Sequence, residues 1–462
     1  MWDNILKKKE MAGVLPDIPG TGSHIPVSTY TAGISEAYPN VNRQRIIESS
    51  INSKERVDFM PTNVGVNQQL TDRYVEFRIS GVIGSFIDLS SLVLELSLKP
   101  VDGLTGEQLP DDINVGLVNG LANTLFKSAS VFINEKMVES NPIYNYSSYI
   151  KQLKSMNADS VKTLGHCGFF YDNANADNTV TKHYIAGSFA NASGFVESKL
   201  MSSIKTYGVD MYFPLLLDIS TLDMYLLDGV DVRIRLEMGN NNWILNSNTP
   251  HNISLNIRKA KLWVDRVTPH YNALTALNQA LTIKPVEYVF DKTLHKTYVI
   301  GANESSIMID QPFGSCVPTT LTMVIVDMNA FSGSLSENGL YFDHADISNM
   351  HLTVNGTTVY NINTSFPNSF SQSYYETQKA LGIDKSNLIT YDSYKSGRAV
   401  FTFNFVNENV HDSLPVEISA SLRINIQLGN RVTTPHVILL LAETVGLISL
   451  DSQRNVTCDV RG

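Results

Sequence analysis

Cysteine is scarce and scattered, with Cys167, Cys316 and Cys458 the whole complement of a 462-residue chain. An odd number at such spacing supplies neither a disulfide framework nor a four-ligand zinc site, and reads as reduced thiols made in a cytosolic or nuclear compartment. Positive charge is short as well: 35 Lys and Arg against 45 Asp and Glu leave a formal net charge of -10, which excludes a broad phosphate-gripping face. The one basic run, Lys7, Lys8 and Lys9 beside Trp2, Ile5 and Leu6, reads first as a solvated terminal cluster and only second as a weak contact with nucleic acid or an acidic partner. Long hydrophobic runs are also missing. The first twenty residues meet Lys7 to Glu10 before any apolar stretch, so no secretory signal is expected there. The most apolar run, Val437 to Ala442, has the length of a buried strand and falls far below the roughly 20 residues that span a bilayer.

Motifs that carry chemistry are absent too. The chain has no Gly-x-x-x-x-Gly-Lys-Ser/Thr phosphate loop, no Gly-x-Ser-x-Gly elbow and no His-Glu-x-x-His helix, each of which places a reactive group by backbone geometry. The nearest metal candidate is Asp343-His344-Ala345-Asp346 with His351, and turn formation by the two aspartates explains it equally well. His166-Cys167 is weaker still. No catalytic, cofactor-binding or metal-ligating residue is assigned from the sequence, no cofactor is expected, and the chain is not expected to be an enzyme.

What is present is β-forming. Hydrophobic residues make up 43% and charged residues 17%, enough apolar material for large cores and too little charge for a disordered chain. Val, Ile, Phe and Tyr alternate with Asn, Ser, Thr and Gly, which favours pleated strands joined by turns. The length exceeds what one core organises and predicts two or three domains. Residues 1–64, with Pro16, Pro19, Gly20, Gly22 and Pro26, lack a period and read as an N-terminal arm. Strand signals fill 65–270, with a polar interval at about 155–203 expected to be a long exposed loop. A short helical connector follows at 271–284, a second strand series at 285–456, and a tail at 457–462.

The second series repeats the first in four ordered places. Gly84-Ser85-Phe86 precedes Leu92 to Leu98 as Gly314-Ser315-Cys316 precedes Leu321 to Val326. Val131-Phe132-Ile133-Asn134 parallels Leu352-Thr353-Val354-Asn355, each an alternating strand ending in a turn at Asn. Tyr149-Ile150-Lys151-Gln152 and Tyr375-Glu376-Thr377-Gln378 share Tyr-x-x-Gln in a helical setting. Val232 to Asn240 matches Leu422 to Asn430 position by position, down to the closing Gly-Asn. One match is ordinary between β-rich segments, whereas four in order predict one fold used twice.

Strands at regular spacing without strand-helix alternation predict an all-β chain of two tandem β-sandwiches with short helices in the loops, and the jelly roll is one of the common forms of such a sandwich. The sequence resembles the double jelly-roll major capsid proteins of the Polinton, adintovirus and virophage group, within the lineage that includes adenovirus hexons, and this resemblance implies two tandem eight-stranded jelly-roll β-sandwiches. The resemblance covers about residues 65 to 456. It is carried by Leu125 to Lys136, by Tyr146 to Leu153, and by Ile448 to Val456, which looks like the end of Polinton-type capsid proteins. It implies a double-stranded DNA virus or virus-like element, and a homotrimeric capsomer with pseudo-hexagonal outline tiling an icosahedral shell. The implied partners are neighbouring capsomers, penton and minor capsid proteins, with at most weak genome contact through the arm; whether a membrane is a partner stays open. The implied location is the virion, after synthesis in host cytoplasm and assembly in cytoplasm or nucleus. The alternative is a glycan-binding or adhesive β-sandwich, supported by aromatic loops such as Phe169-Phe170-Tyr171 and Tyr374-Tyr375.

Overall fold

Alternating burial along strands such as Tyr74–Ile79, Val209–Pro214 and Leu422–Leu428 gives them a core face and an outer face, and the pairing then fixes the topology. In the computed structural model, residues 50–63, 73–110, 113, 115–171, 182, 204–247, 252–405 and 418–458 are described. The first half contributes β1 (Ile51–Phe59), β2 (Tyr74–Ile79), β3 (Phe86–Asp102), β4 (Phe126–Ile133), β5 (Lys136–Asn141), β6 (Val209–Pro214), β7 (Val232–Met238) and β8 (Ile253–Pro269). The second contributes β9 (Val286–Ile300), β10 (Ser306–Asp310), β11 (Thr320–Asp327), β12 (Ile347–Val354), β13 (Thr357–Asn363), β14 (Phe401–Asn404), β15 (Leu422–Leu428) and β16 (His436–Leu450). The first half forms sheets of order β1-β8-β3-β6 and β2-β7-β4-β5, all antiparallel. The second forms β9-β16-β11-β14 and β10-β15-β12-β13, again antiparallel. Adding eight to each strand of the first pair of sheets gives the second pair. The chain is a double jelly roll.

Local chemistry explains the repeat. Leu92, Leu94, Leu96 and Leu98 alternate into the first core, each at most 1% exposed, because successive side chains of a strand point to opposite faces. The β4-β5 turn places Asn134 and Glu135 at positive φ, and the β12-β13 turn does the same with Asn355 and Gly356, the backbone that two-residue hairpins require. Each asparagine then locks its hairpin to the next strand. Asn134 accepts from the Asp231 amide at 2.9 Å, and Asn355 accepts from the Ser421 amide at 2.9 Å. The helices α1 (Tyr144–Ser155) and α3 (Ser371–Leu381) follow β5 and β13 in corresponding places, and α2 (Tyr271–Leu281) lies between the two strand series.

Three sequence expectations are corrected. The arm read over 1–64 takes in β1, which pairs along β8 from Ile51 to Phe59. Its charges hid it: Lys54 and Arg56 sit on the outer face and pair with Asp88 and Asp265 at 2.8 and 2.7 Å, as an edge strand allows. Residues 1–49, with Trp2 and Lys7 to Lys9, lie outside the described residues. The tail read from 457 overlaps a short strand, Val456–Cys458, paired with Ile448 to Leu450. The interval at 155–203 is no exposed loop over its first part. Asn157 caps a helix at Ala158–Thr163, and Phe169 and Phe170 are 2% and 0% exposed, because their apolar rings are worth more in the core than in water. Most of 172–203 lies outside the described residues.

Candidate functional site

Buried polar groups, among them Glu139, Asp218, Thr293 and Thr322, gather where the two jelly rolls meet. α1 of the first is laid against the second. Tyr149 approaches Phe342 with ring centroids 5.9 Å apart, Tyr146 stacks on Phe331 at 5.7 Å, and the Leu388 amide donates to the Leu153 carbonyl at 3.0 Å. Trp243 Nε1 donates to the Tyr146 hydroxyl at 3.0 Å, which gives the buried indole its partner. At the end of the helix Lys154 Nζ meets Glu443 at 2.6 Å and donates to Thr322 Oγ1 at 3.4 Å.

Beside this seam is a charge cluster built from four segments distant in sequence. Lys151 Nζ lies 2.6 Å from Asp218, whose carboxylate also accepts from the Thr293 amide at 2.7 Å and hydroxyl at 3.0 Å. Glu139 accepts from the Asp218 and Ile219 amides at 2.9 and 3.0 Å. Burial, and then the Asp218 charge, hold the Glu139 carboxyl well above the usual range. Burial alone would pull Lys151 down, yet the Asp218 and Glu139 charges outweigh it and raise it. His295 is pushed down to about 4 by burial, and its Nε2 has no hydrogen-bond partner. Glu139, Asp218, Thr293 and His295 line a cleft of about 740 Å³ with Phe290, Leu294, Phe313, Cys316 and Cys458. The oxygens of Asp218 and Glu139 are taken up by donors of the chain itself, so the arrangement serves to join the two jelly rolls. A buried pair of this kind specifies register more than it adds stability.

A second lock ties the C-terminal segment to the first jelly roll. Arg454, in the turn after β16, donates through Nε to the Asp228 carbonyl at 2.9 Å and pairs with the Asp228 carboxylate. Asn134 Nδ2 donates to the Arg454 carbonyl at 2.8 Å, so the β4-β5 turn of the first jelly roll holds the C-terminal segment of the second.

The residues singled out from sequence are placed as follows. Asp343 turns inward, with His436 Nε2 at 3.9 Å and Lys182 Nζ at 3.6 Å. Burial pushes the Asp343 carboxyl up, but His436, the Ala345 amide and the charges of His344 and Lys182 outweigh it and hold it well below the usual range. His344 stacks flat on Phe366 and accepts from the Asp346 amide at 3.0 Å, and Asp346 pairs with Asn430. His351 Nε2 lies 2.9 Å from Thr358 Oγ1 on the outer face of a hairpin. The sequence neighbours are thus separated by the turn, and among the described residues no three His, Cys, Asp or Glu side chains converge on a common point. His166 stacks on Tyr171 at 4.5 Å, and Cys167 is exposed. The loop aromatics cited for glycan binding are divided: Phe169 and Phe170 are buried, whereas Tyr375 is 57% exposed. Sequence reasoning missed Lys151, Asp218, Glu139, Lys154, Glu443, Asp228 and Arg454, since each stands at unremarkable spacing and acquires its partner only through the fold.

No family model matches the chain. It is 20% identical over 366 residues to an uncharacterized protein of Caenorhabditis elegans, covering 76% of this chain and 83% of that protein. Its fold is similar to a chain in the cryo-electron microscopy structure of the Sputnik virophage, with TM-score 0.57, 10% identity and coverage of 93% and 92% of the two chains. VP54 of the virus PBCV-1, fitted into a reconstruction of Sputnik, gives TM-score 0.55, 12% identity and coverage of 91% and 99%. A chain of the PBCV-1 capsid gives TM-score 0.53, 10% identity and the same coverage. Likeness over nine-tenths of both chains at so little identity is a likeness of fold, and the fold shared is the double jelly roll.

Proposed function

We propose that this chain is a hexon-like major capsid protein of a double-stranded DNA virus or virus-like element, a structural subunit without catalysis of its own. The carrying observation is the double jelly roll itself, two eight-stranded sandwiches of the same topology in a chain that matches capsid and virophage chains over more than 90% of its length. Three copies would present six similar sandwiches in a pseudo-hexagonal capsomer, which closes by threefold symmetry and tiles a facet. Neighbouring capsomers, vertex and minor capsid proteins are the partners, and the virion is the location. The N-terminal arm contributes contacts on the inner side of the shell and at most weak genome contact. Exposed apolar groups such as Ile83, Ile283 and Leu104, each more than 80% exposed, support burial by other chains. Light scattering on the purified protein tests the capsomer, with three chains expected and a monodisperse monomer at micromolar concentration contradicting it. Deleting residues 2–30 is expected to abolish closed particles in electron micrographs while leaving the circular dichroism melt of the capsomer unchanged.

A further inference from the structure

Among the described pairs of a lysine with a carboxylate, one is enclosed far more than a surface contact requires. The Asp218 side chain is 2% exposed, whereas every other acid paired with a lysine is 7% exposed or more. Lys151 Nζ comes within 2.6 Å of Asp218 Oδ1 and also faces the Leu216 carbonyl at 3.4 Å. Both oxygens of Asp218 accept from a single residue, Oδ2 from the Thr293 amide at 2.7 Å and Oδ1 from its hydroxyl at 3.0 Å. Glu139 adds a second buried acid, held above the usual range by burial and then by the Asp218 charge. A simple ion pair is worth little and needs no such enclosure. An amine pressed against a desolvated carboxyl whose oxygens are already held by donors is a reactive arrangement.

We propose that Lys151 and Asp218 condense to an intramolecular isopeptide bond, a covalent self-modification of the folded chain. The step balances without a co-reactant. A proton passes from the Lys151 ammonium to Asp218 Oδ1 across the 2.6 Å contact, which discharges both partners, as burial favours. The neutral amine then attacks Cγ, which at such a contact lies about 3.5 Å from Nζ, a near-attack separation. The Nζ–Cγ bond forms while the Thr293 amide stabilises the negative charge that collects on Oδ2. The Cγ–Oδ1 bond breaks, and Oδ1 leaves as water with two of the three ammonium protons. Asp218 and Thr293 line the cleft, so the water has a way out. The amide keeps partners for both its polar groups, the Thr293 amide on its oxygen and the Leu216 carbonyl facing its N–H. Between free partners in water the reverse reaction would win, but partners held in contact act at effective molarities on the order of 10⁵ M or more. The bond closes a loop of 67 residues and ties α1, the helix laid against the second jelly roll, to the segment whose acid is hydrogen-bonded to β9. The reaction is confined to one chain, so the inference stands apart from the capsomer reading.

The test is the intact mass of the full chain, purified folded and held at neutral pH, beside Lys151→Arg, which keeps the charge and cannot form the amide. After allowing for the substituted side chain, the wild type should be lighter than Lys151→Arg by one water, and Asp218→Ala should show no such loss. A tryptic digest of the wild type should contain a branched peptide joining the segments around Lys151 and Asp218, with no cleavage after Lys151. That peptide is read from the wild type alone, so the result does not depend on either variant folding. A wild type of full mass whose Lys151 peptide is linear would overturn the proposal. So would a loss of water that persists in Lys151→Arg, since it would place the dehydration elsewhere in the chain.

Discussion

Arg454 and Asp228, 226 residues apart, are joined by a hydrogen bond to the Asp228 carbonyl and an ion pair to its carboxylate, which is 5% exposed. The same carboxylate accepts from the Gly84 amide at 2.8 Å, so one buried acid ties the turn before β3 to the chain's C-terminal segment. Arg454→Met keeps the side-chain volume and strands the acid, a loss on the order of 3 kcal/mol. Urea unfolding should show it, and proteolysis after residue 450 should accelerate. Unchanged protection of the C-terminal segment would refute the clamp.

The two hairpin asparagines should behave alike. Asn134→Ala and Asn355→Ala each remove an acceptor from a following amide and force alanine into positive φ, which together costs about 2 kcal/mol. The expected result is a similar drop in unfolding midpoint for both. A large effect from one and none from the other would argue against structural equivalence of the hairpins.

The seam between the jelly rolls has no room at Gly339, where an added Cβ would sit 2.9 Å from Trp243 Cε2. Gly339→Ala should displace the indole from the Tyr146 hydroxyl, at roughly 1–3 kcal/mol for overpacking. A red shift in tryptophan emission, with a lowered melt, is the expected readout.

Two histidines should give pH dependences of opposite sign. His295 is held at about 4 by burial, below its unfolded value, so the fold binds fewer protons and stability falls as pH drops from 6.5 towards 4. His295→Leu should flatten that slope, by on the order of 3 kcal/mol at full development. For His436, burial acts downward, but Asp343 and the Thr434 carbonyl outweigh it and raise the group. Its contribution is therefore fully present below the unfolded value and is lost as pH rises through the folded one. His436→Gln should lose stability at pH 6 more than at pH 8, as denaturation midpoints at the two values will report.

What the sequence determined by itself is everything set by near neighbours. Alternation made Leu92 to Leu98 and Val232 to Met238 strands, asparagine at a two-residue gap made the hairpins, and the order of four motifs gave the repeat, because side-chain period and turn conformation are properties of a few consecutive residues. Tertiary structure decided which faces are covered. Tyr149 and Tyr375 carry one motif and have opposite exposures, since burial depends on what the fold brings opposite each helix. β1 was concealed by charges whose partners, Asp88 and Asp265, arrive from other strands. Lys151 reaches Asp218 only once the first jelly roll is built, and Arg454 reaches Asp228 only once both are. An ion pair has no period along the chain, so nothing in the spacing of its residues announces it.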